Sequence, residues 1–264
     1  MRYSLQKAGI WKRISAFLFD AVILFTVAIG IAAVVSAVIG YDEAAESYEK
    51  HEKFLANLIE NEDEYKELGI TFDEPRESYT GEKLEAYDKA LKELEELRQN
   101  DKPLAVKFTL MYNKAMVIVG IALPIAFLAL EFVVPLLFGH GRTLGKKIFG
   151  IGVMHSNGVR VRGVAMFARS VLMKFAVETM IPMSVLVNFY FRVEIGLIML
   201  LLALIVLGSQ LIMPIVTKTN SALHDGFTST VVIDYATQMI FENEQALIDY
   251  KKKIAAEIAK ERDY

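Results

Sequence analysis

Asp20, Glu131 and Glu178 are carboxylates set inside otherwise apolar stretches of the chain. An ionised side chain in such a stretch is costly unless it is paired, hydrated or proton-bearing, so each marks a candidate site. Carboxylates in a low dielectric hold their protons to higher pH, and a basic neighbour reverses that. A pocket built from Asp20, Glu131 and Glu178 can therefore exchange H⁺ for a metal cation. Arg13 precedes Asp20 by seven residues, two helical turns, and shares its helix face. The plainer alternative is that Arg13, Asp20, Glu131 and nearby bases form interhelical pairs that fix the register of a bundle. For Glu178 the pairing role is the stronger of the two.

Other groups point to less chemistry. His224-Asp225 suggests catalysis or metal binding in isolation, but the sequence places no hydroxyl nucleophile and no third ligand beside it. A structural hydrogen bond is the expected role, with Asp225 tying the turn that follows the last apolar run. The stretch Gly139-His-Gly-Arg-Thr-Leu-Gly-Lys-Lys147 has the look of a phosphate loop and fails its test. His140 stands where the first glycine is required, and Lys147 replaces the Ser or Thr. Its basic character suits anionic head groups of an inner leaflet instead. There is no cysteine, so disulfides, thiolate metal sites and cysteine nucleophiles are excluded. No catalytic residue, metal site, cofactor or nucleic-acid partner is expected; the chain reads as a non-enzyme.

The elements that must carry these groups are membrane spans. Over 264 residues, 54% hydrophobic and 23% charged side chains are segregated into long apolar and long charged runs. A span needs ~20 mostly apolar residues to cross a hydrocarbon core ~30 Å thick. Ile14–Ile39, Ala115–Phe138 and Ile195–Thr217 meet this clearly. Val171–Phe191 is weaker, because it holds Lys174, Glu178 and Pro182, and it either spans or lies as a re-entrant or interfacial helix. The first run has a small-residue site at Val35-Ser36-Ala37, but it is far longer than the ~7–15 residues of a signal h-region. It reads as a retained span.

At ~1.5 Å per residue Asp20 lies about 9 Å into the first span, and Glu131 lies roughly 10 Å from the end of the second. Glu178 sits about one turn into the third segment, so the three carboxylates fall at similar depth. Pro124, Pro135, Pro182 and Pro214 supply kinks, which is weak support because proline is common in such helices.

Between the first two spans, residues 40–114 carry Tyr48, Leu55, Leu58 and Tyr65 on one arm and Leu84, Tyr87, Leu91 and Leu94 on the other. The segment Gly69–Pro75 interrupts the pattern, so two antiparallel helices with facing apolar stripes are expected. Ile148–Met154 and Val159–Arg162 flank the turn signal Ser156-Asn157-Gly158, and Phe227–Ile233 is a β-branched run suited to a third strand. Ile240–Tyr264 reads as an amphipathic helix. No internal repeat is visible.

Lys and Arg near the spans set orientation. The N-terminus holds Arg2, Lys7, Lys12 and Arg13 with no acid, and 139–174 holds seven bases with no acid. In 40–114 acids outnumber bases. Both basic segments are therefore expected in the cytoplasm and the acidic hairpin outside. If 227–233 pairs with the 148–162 hairpin, an even number of crossings separates them, which favours four spans over three. The fold class is an all-α membrane protein, a bundle of four or alternatively three transmembrane helices, with an extracytoplasmic helical hairpin and a small cytoplasmic β element. Its segments are 1–39 (N-terminus and first span), 40–114, 115–138, the basic loop 139–170, 171–217 and the tail 218–264.

With these residues in place, the chain resembles the RDD family of membrane proteins, named for one arginine and two aspartates. The matching pieces are Arg13-Ile-Ser-Ala-Phe-Leu-Phe-Asp20, Gly141-Arg-Thr-Leu-Gly-Lys-Lys-Ile-Phe-Gly-Ile-Gly-Val153, Arg169, and Leu223-His-Asp-Gly-Phe-Thr-Ser-Thr-Val-Val232. The resemblance implies Arg13, Asp20 and Asp225 as the name-giving residues, with Gly141, Thr143, Gly145, Lys146, Arg169 and His224 in the accompanying motifs. It implies a multi-pass protein of the cell membrane, associated with transport of ions or small solutes and, for some members, cation/proton antiport. It implies no enzymatic reaction. The first loop is generally much shorter in the family, so an accessory role is expected in the hairpin, where an unknown protein partner would bind. A non-transporting scaffold or assembly factor is the alternative, and four spans make a thin wall for a pore, which leaves self-association open.

Overall fold

The computed structural model describes residues 4–262. Arg2 and the last residues of the expected tail helix lie outside the described residues. Four helical stretches are long and apolar enough to cross a membrane: Ile10–Ile39, Lys102–Phe138, Gly163–Tyr190 and Leu197–Val216. The third of these, ambiguous in the sequence because of its charges, is continuous helix of 28 residues and long enough to cross. Large apolar side chains such as Val22, Ile29, Leu197, Ile198 and Ile215 are exposed along these helices. In water that much apolar surface would aggregate; in lipid it is the expected outer face.

The chain folds as two compact units, one of residues up to Gly30 together with Leu123 onward, the other Ile31–Ala122. In the second unit, α1 (Ile10–Ile39) ends at Gly40, whose φ of +66° lets the backbone restart directly as α2 (Tyr41–Glu60). The short α3 (Asp63–Leu68) and α4 (Glu82–Asn100) follow, with a single 3₁₀ turn at Arg76–Ser78 between them. Leu55, Ile59, Tyr65, Ile70, Tyr87 and Leu94 form the core of this insertion, with Leu84 and Leu91 packed against it; Leu58, expected on the stripe, is exposed, and Ile59 one position on faces inward in its place. Burial raises the Tyr65 hydroxyl to about 12, so it stays neutral. Asp101 caps α5 (Lys102–Phe127) by accepting the Leu104 N–H at 2.6 Å. The second span thus starts well before Ala115: the cap and Pro103 at the first turn carry helix straight out of the insertion.

In the first unit, α5 passes into a π-helical turn at Leu128–Val133 and ends as α6 (Val134–Phe138). A loop then leads to α7 (Leu144–Ile148) and β1 (Ile151–His155). The third crossing is α8 (Gly163–Phe167), a π-helical segment Ala168–Thr179 and α9 (Met180–Tyr190); the fourth is α10 (Leu197–Val216). After it come α11 (Leu223–Phe227), β2 (Thr230–Asp234) and α12 (Glu244–Arg262).

β1 and β2 pair antiparallel, with Val153 opposite Val232. The expected second arm of the 148–162 hairpin is not a strand. The Asn157-Gly158 turn forms, but Val159 and Arg160 make only isolated bridges, to Phe241 and Met154. Two other segments take the available sheet edges: β2 on one side of β1, and the N-terminal chain on the far side of β2. Lys7 bridges Ile233, the Ala8 N–H donates to the Val232 carbonyl at 3.1 Å, and the Asp234 N–H donates to the Gln6 carbonyl at 2.9 Å. The N-terminal segment, β1 and β2 therefore share one end of this unit, and two spans separate each from the next.

Candidate functional site

Each buried carboxylate of the spans meets a different partner. Asp20, in α1, accepts hydrogen bonds from the Thr143 hydroxyl at 2.5 Å and from the Gly145 N–H at 2.7 Å. Thr143 is the N-cap of α7 and also accepts from the Lys146 N–H. Asp20 therefore completes the cap of a helix from a different part of the chain, where N–H groups lack intrahelical acceptors and the dipole favours negative charge. Gly145 is required by this approach. A Cβ there would strike the Ala16 carbonyl and stand 3.0 Å from the Asp20 carboxyl.

Glu178 makes the same kind of contact with α11. It accepts the His224 backbone N–H at 2.8 Å and holds the His224 ring Nδ1 at 2.8 Å. Asp225, on the next residue, accepts the Ala222 N–H and so caps its own helix. The Asp225 carboxylate is fully buried and collects two cations: Arg13 from α1 at 2.8 Å and Arg169 from the third crossing at 2.6 and 3.1 Å. Burial pushes this carboxyl up, but Arg169, with His224 and Arg13, outweighs it and holds Asp225 well below the usual carboxylate range. Burial also depresses His224, so its ring is neutral at neutral pH.

Glu131 pairs with Lys174 at 2.5 Å. Both lie on π-helical turns, and proline explains the wide turns. Pro135 follows Glu131 by four residues, and Pro182 follows Glu178 by four. A proline can give no N–H to the carbonyl four residues earlier and crowds it, so the helix widens there. Lys146 stands close enough to feel both Glu131 and Asp20. Burial lowers its ammonium to about 8, with Lys174 and Arg169 adding to the effect against the pull of Glu131.

The four blocks of motif residues are thus one three-dimensional unit, and a model of the RDD family matches residues 7–229. The chain belongs to the RDD family. No curated protein and no solved structure matches it.

In this RDD protein the three residues expected as name-giving divide between two contacts: Arg13 with Asp225, and Asp20 with the 143–146 loop. The sequence sets Asp20, Glu131 and Glu178 at one depth; in the structure each has hydrogen-bonding or ion-pair partners of its own, and Lys146 interacts with both Asp20 and Glu131. Among the described residues no group of three His, Asp or Glu side chains is placed to hold a metal ion. Gly141 adopts φ +59° and packs so closely on Val153 and Met166 that a Cβ would not fit. His224 lies 3.6 Å from Asp225, with Glu178 on the other side of its ring. The residues that sequence reasoning passes over are Lys174 and Ala222. In the sequence Lys174 counts against the span and among the orienting bases; its spacing of one turn from Glu178 suggests a pair with that residue, whereas its partner is Glu131. The Ala222 amide is backbone and leaves no trace in the residue types.

Proposed function

We propose that this RDD protein is a membrane-anchored scaffold, whose span-bearing unit is a charge-locked module presenting a basic face and whose insertion is a folded accessory domain. The observation that carries the reading is the occupancy of the buried carboxylates. Asp20, Glu131, Glu178 and Asp225 all accept from protein donors, and Arg13, Lys146, Arg169 and Lys174 stand beside them. An ion-exchanging pocket needs a carboxylate released from such donors for part of its cycle, whereas a scaffold needs the donors kept. The basic bias of the N-terminal segment and of 139–174 supports a cytoplasmic N-terminus in the cell membrane and an extracytoplasmic 40–114 insertion, where a protein partner would dock.

Cation/proton antiport through Asp20 and Glu131 has one observation in its favour. Lys146, with its ammonium lowered to about 8, can release a proton near neutral pH beside both carboxylates. Inverted vesicles with a pH-sensitive dye separate the readings. A scaffold dissipates no more of the proton gradient on adding Na⁺ or Li⁺ than empty vesicles do, and its cross-linked partners disappear when residues 42–112 are deleted. Cation-driven proton flux that survives that deletion and is lost in Asp20→Asn supports the antiporter instead.

A further inference from the structure

A cleft of about 260 Å³ opens where the second crossing ends and the third begins. Leu136 and Met166 line its apolar side, while His140, Arg160, Arg162 and Glu242 line its polar side. It shares no residue with the capped carboxylates of the charge network. The Arg160 guanidinium reaches inward far enough to stand 3.3 Å from the Cβ position of Gly139, and only glycine at φ +70° leaves that space. Its other terminal nitrogen donates to Glu242 at 3.0 Å, across a pair whose carboxylate is two-thirds exposed. Arg162 has no carboxylate partner among the described residues, its one contact being the Glu242 carbonyl at 3.5 Å. The His140 Nδ1 is buried without a hydrogen-bond partner.

We propose that this cleft binds the phosphate of an anionic phospholipid headgroup. Two guanidiniums match phosphate oxygens, which accept planar, forked donors well. The Arg160–Glu242 pair is exposed enough that releasing it costs little, so the phosphate replaces the carboxylate on Arg160. The apolar side decides between a lipid and a free anion. Leu136, 44% exposed near the end of the second crossing, lines the cleft, and the helix turns next to it carry exposed Leu137 and Val164, apolar surface for acyl chains. An inorganic phosphate uses none of that surface. The proposal stands on the cleft alone and is independent of the scaffold reading.

The test uses the full-length protein in a neutral detergent, titrated with dihexanoyl phosphatidylglycerol, dihexanoyl phosphatidylcholine or inorganic phosphate and read by native mass spectrometry. The expected result is saturable binding of one phosphatidylglycerol per chain, at least tenfold tighter than either of the other probes. Arg160→Gln with Arg162→Gln weakens it at least tenfold, while Lys252→Gln with Lys253→Gln, which removes two exposed bases outside the cleft, leaves it within twofold. Glu242→Gln tightens it, a change that misfolding cannot imitate. Equal affinity for inorganic phosphate or for the choline lipid overturns the proposal. So does an equal loss in the two double variants, which would make the binding a diffuse effect of a basic surface.

Discussion

The helical insertion and the span-bearing unit both use carboxylate–base pairs, in opposite surroundings. In the insertion, Glu46–Lys50, Glu49–Lys53, Glu64–Lys89 and Asp88–Arg76 lie on exposed faces, with roughly half or more of each side chain in contact with solvent. Water solvates these groups as well as their partners do, so the insertion depends on its apolar stripe and the pairs add little. In the span-bearing unit Arg13–Asp225, Arg169–Asp225 and Lys174–Glu131 are buried, and removing one partner strands the other in a low dielectric. The same side chains are decoration in one unit and architecture in the other. The difference is burial, and burial is set by which loop helix reaches which span.

Breaking that contrast gives a graded series, read as thermal stability of the full chain in detergent. The largest effect is expected for Asp225→Ala, which leaves Arg13 and Arg169 buried without their acceptor, at a cost of about 3–5 kcal/mol. Gly145→Ala comes next. The new methyl forces α7 off Ala16 and Asp20, and overpacking of this kind costs about 1–3 kcal/mol. A melting temperature unchanged by this substitution would mean that α7 does not seat on Asp20.

A pH titration sharpens the comparison at His224. Its folded pKa is depressed below the ordinary 6.5 by burial, so the unfolded chain binds more protons as the pH falls through that value. Stability therefore declines from about pH 6.5 downward, toward the lower folded pKa. His224→Gln, which keeps a polar side chain beside Glu178 and cannot titrate, flattens that part of the profile. An identical slope in wild type and variant would assign the decline elsewhere. The smallest effect is expected in the insertion: Asp88→Ala, which frees an exposed Arg76, leaves the melting temperature within error.

Much of this is legible in the residues. Four apolar runs, the 3–4 stripes of the insertion and the Asn157-Gly158 turn are local patterns, and local patterns are what a sequence carries most directly. The carboxylates announce themselves because charge in an apolar run needs a reason. Their partners are harder to see. Thr143 and Gly145 lie far along the chain from Asp20, and half of what Asp20 and Glu178 bind is backbone N–H, which no residue type advertises. The Glu-x-x-x-Pro spacing shared by Glu131–Pro135 and Glu178–Pro182 is present in the sequence and forecasts the widened turns by a steric argument alone. The N-terminal segment's place on β2 has no such signal, because Gln6-Lys7-Ala8 shows no alternation or β-branching to mark it as a strand.

The protonation of the span carboxylates can be followed directly by infrared difference spectroscopy of the reconstituted protein between about pH 6 and pH 8, a window around neutrality in which an exchanging carboxylate would have to work, with and without Na⁺. Asp20→Asn, Glu131→Gln and Glu178→Gln assign the bands. Carboxylates held by protein donors give bands that neither the pH step nor Na⁺ alters. A protonated carboxyl band that disappears on adding Na⁺ and is absent from Asp20→Asn or Glu131→Gln would contradict the account, since it would show an acid waiting for an ion instead of one already occupied.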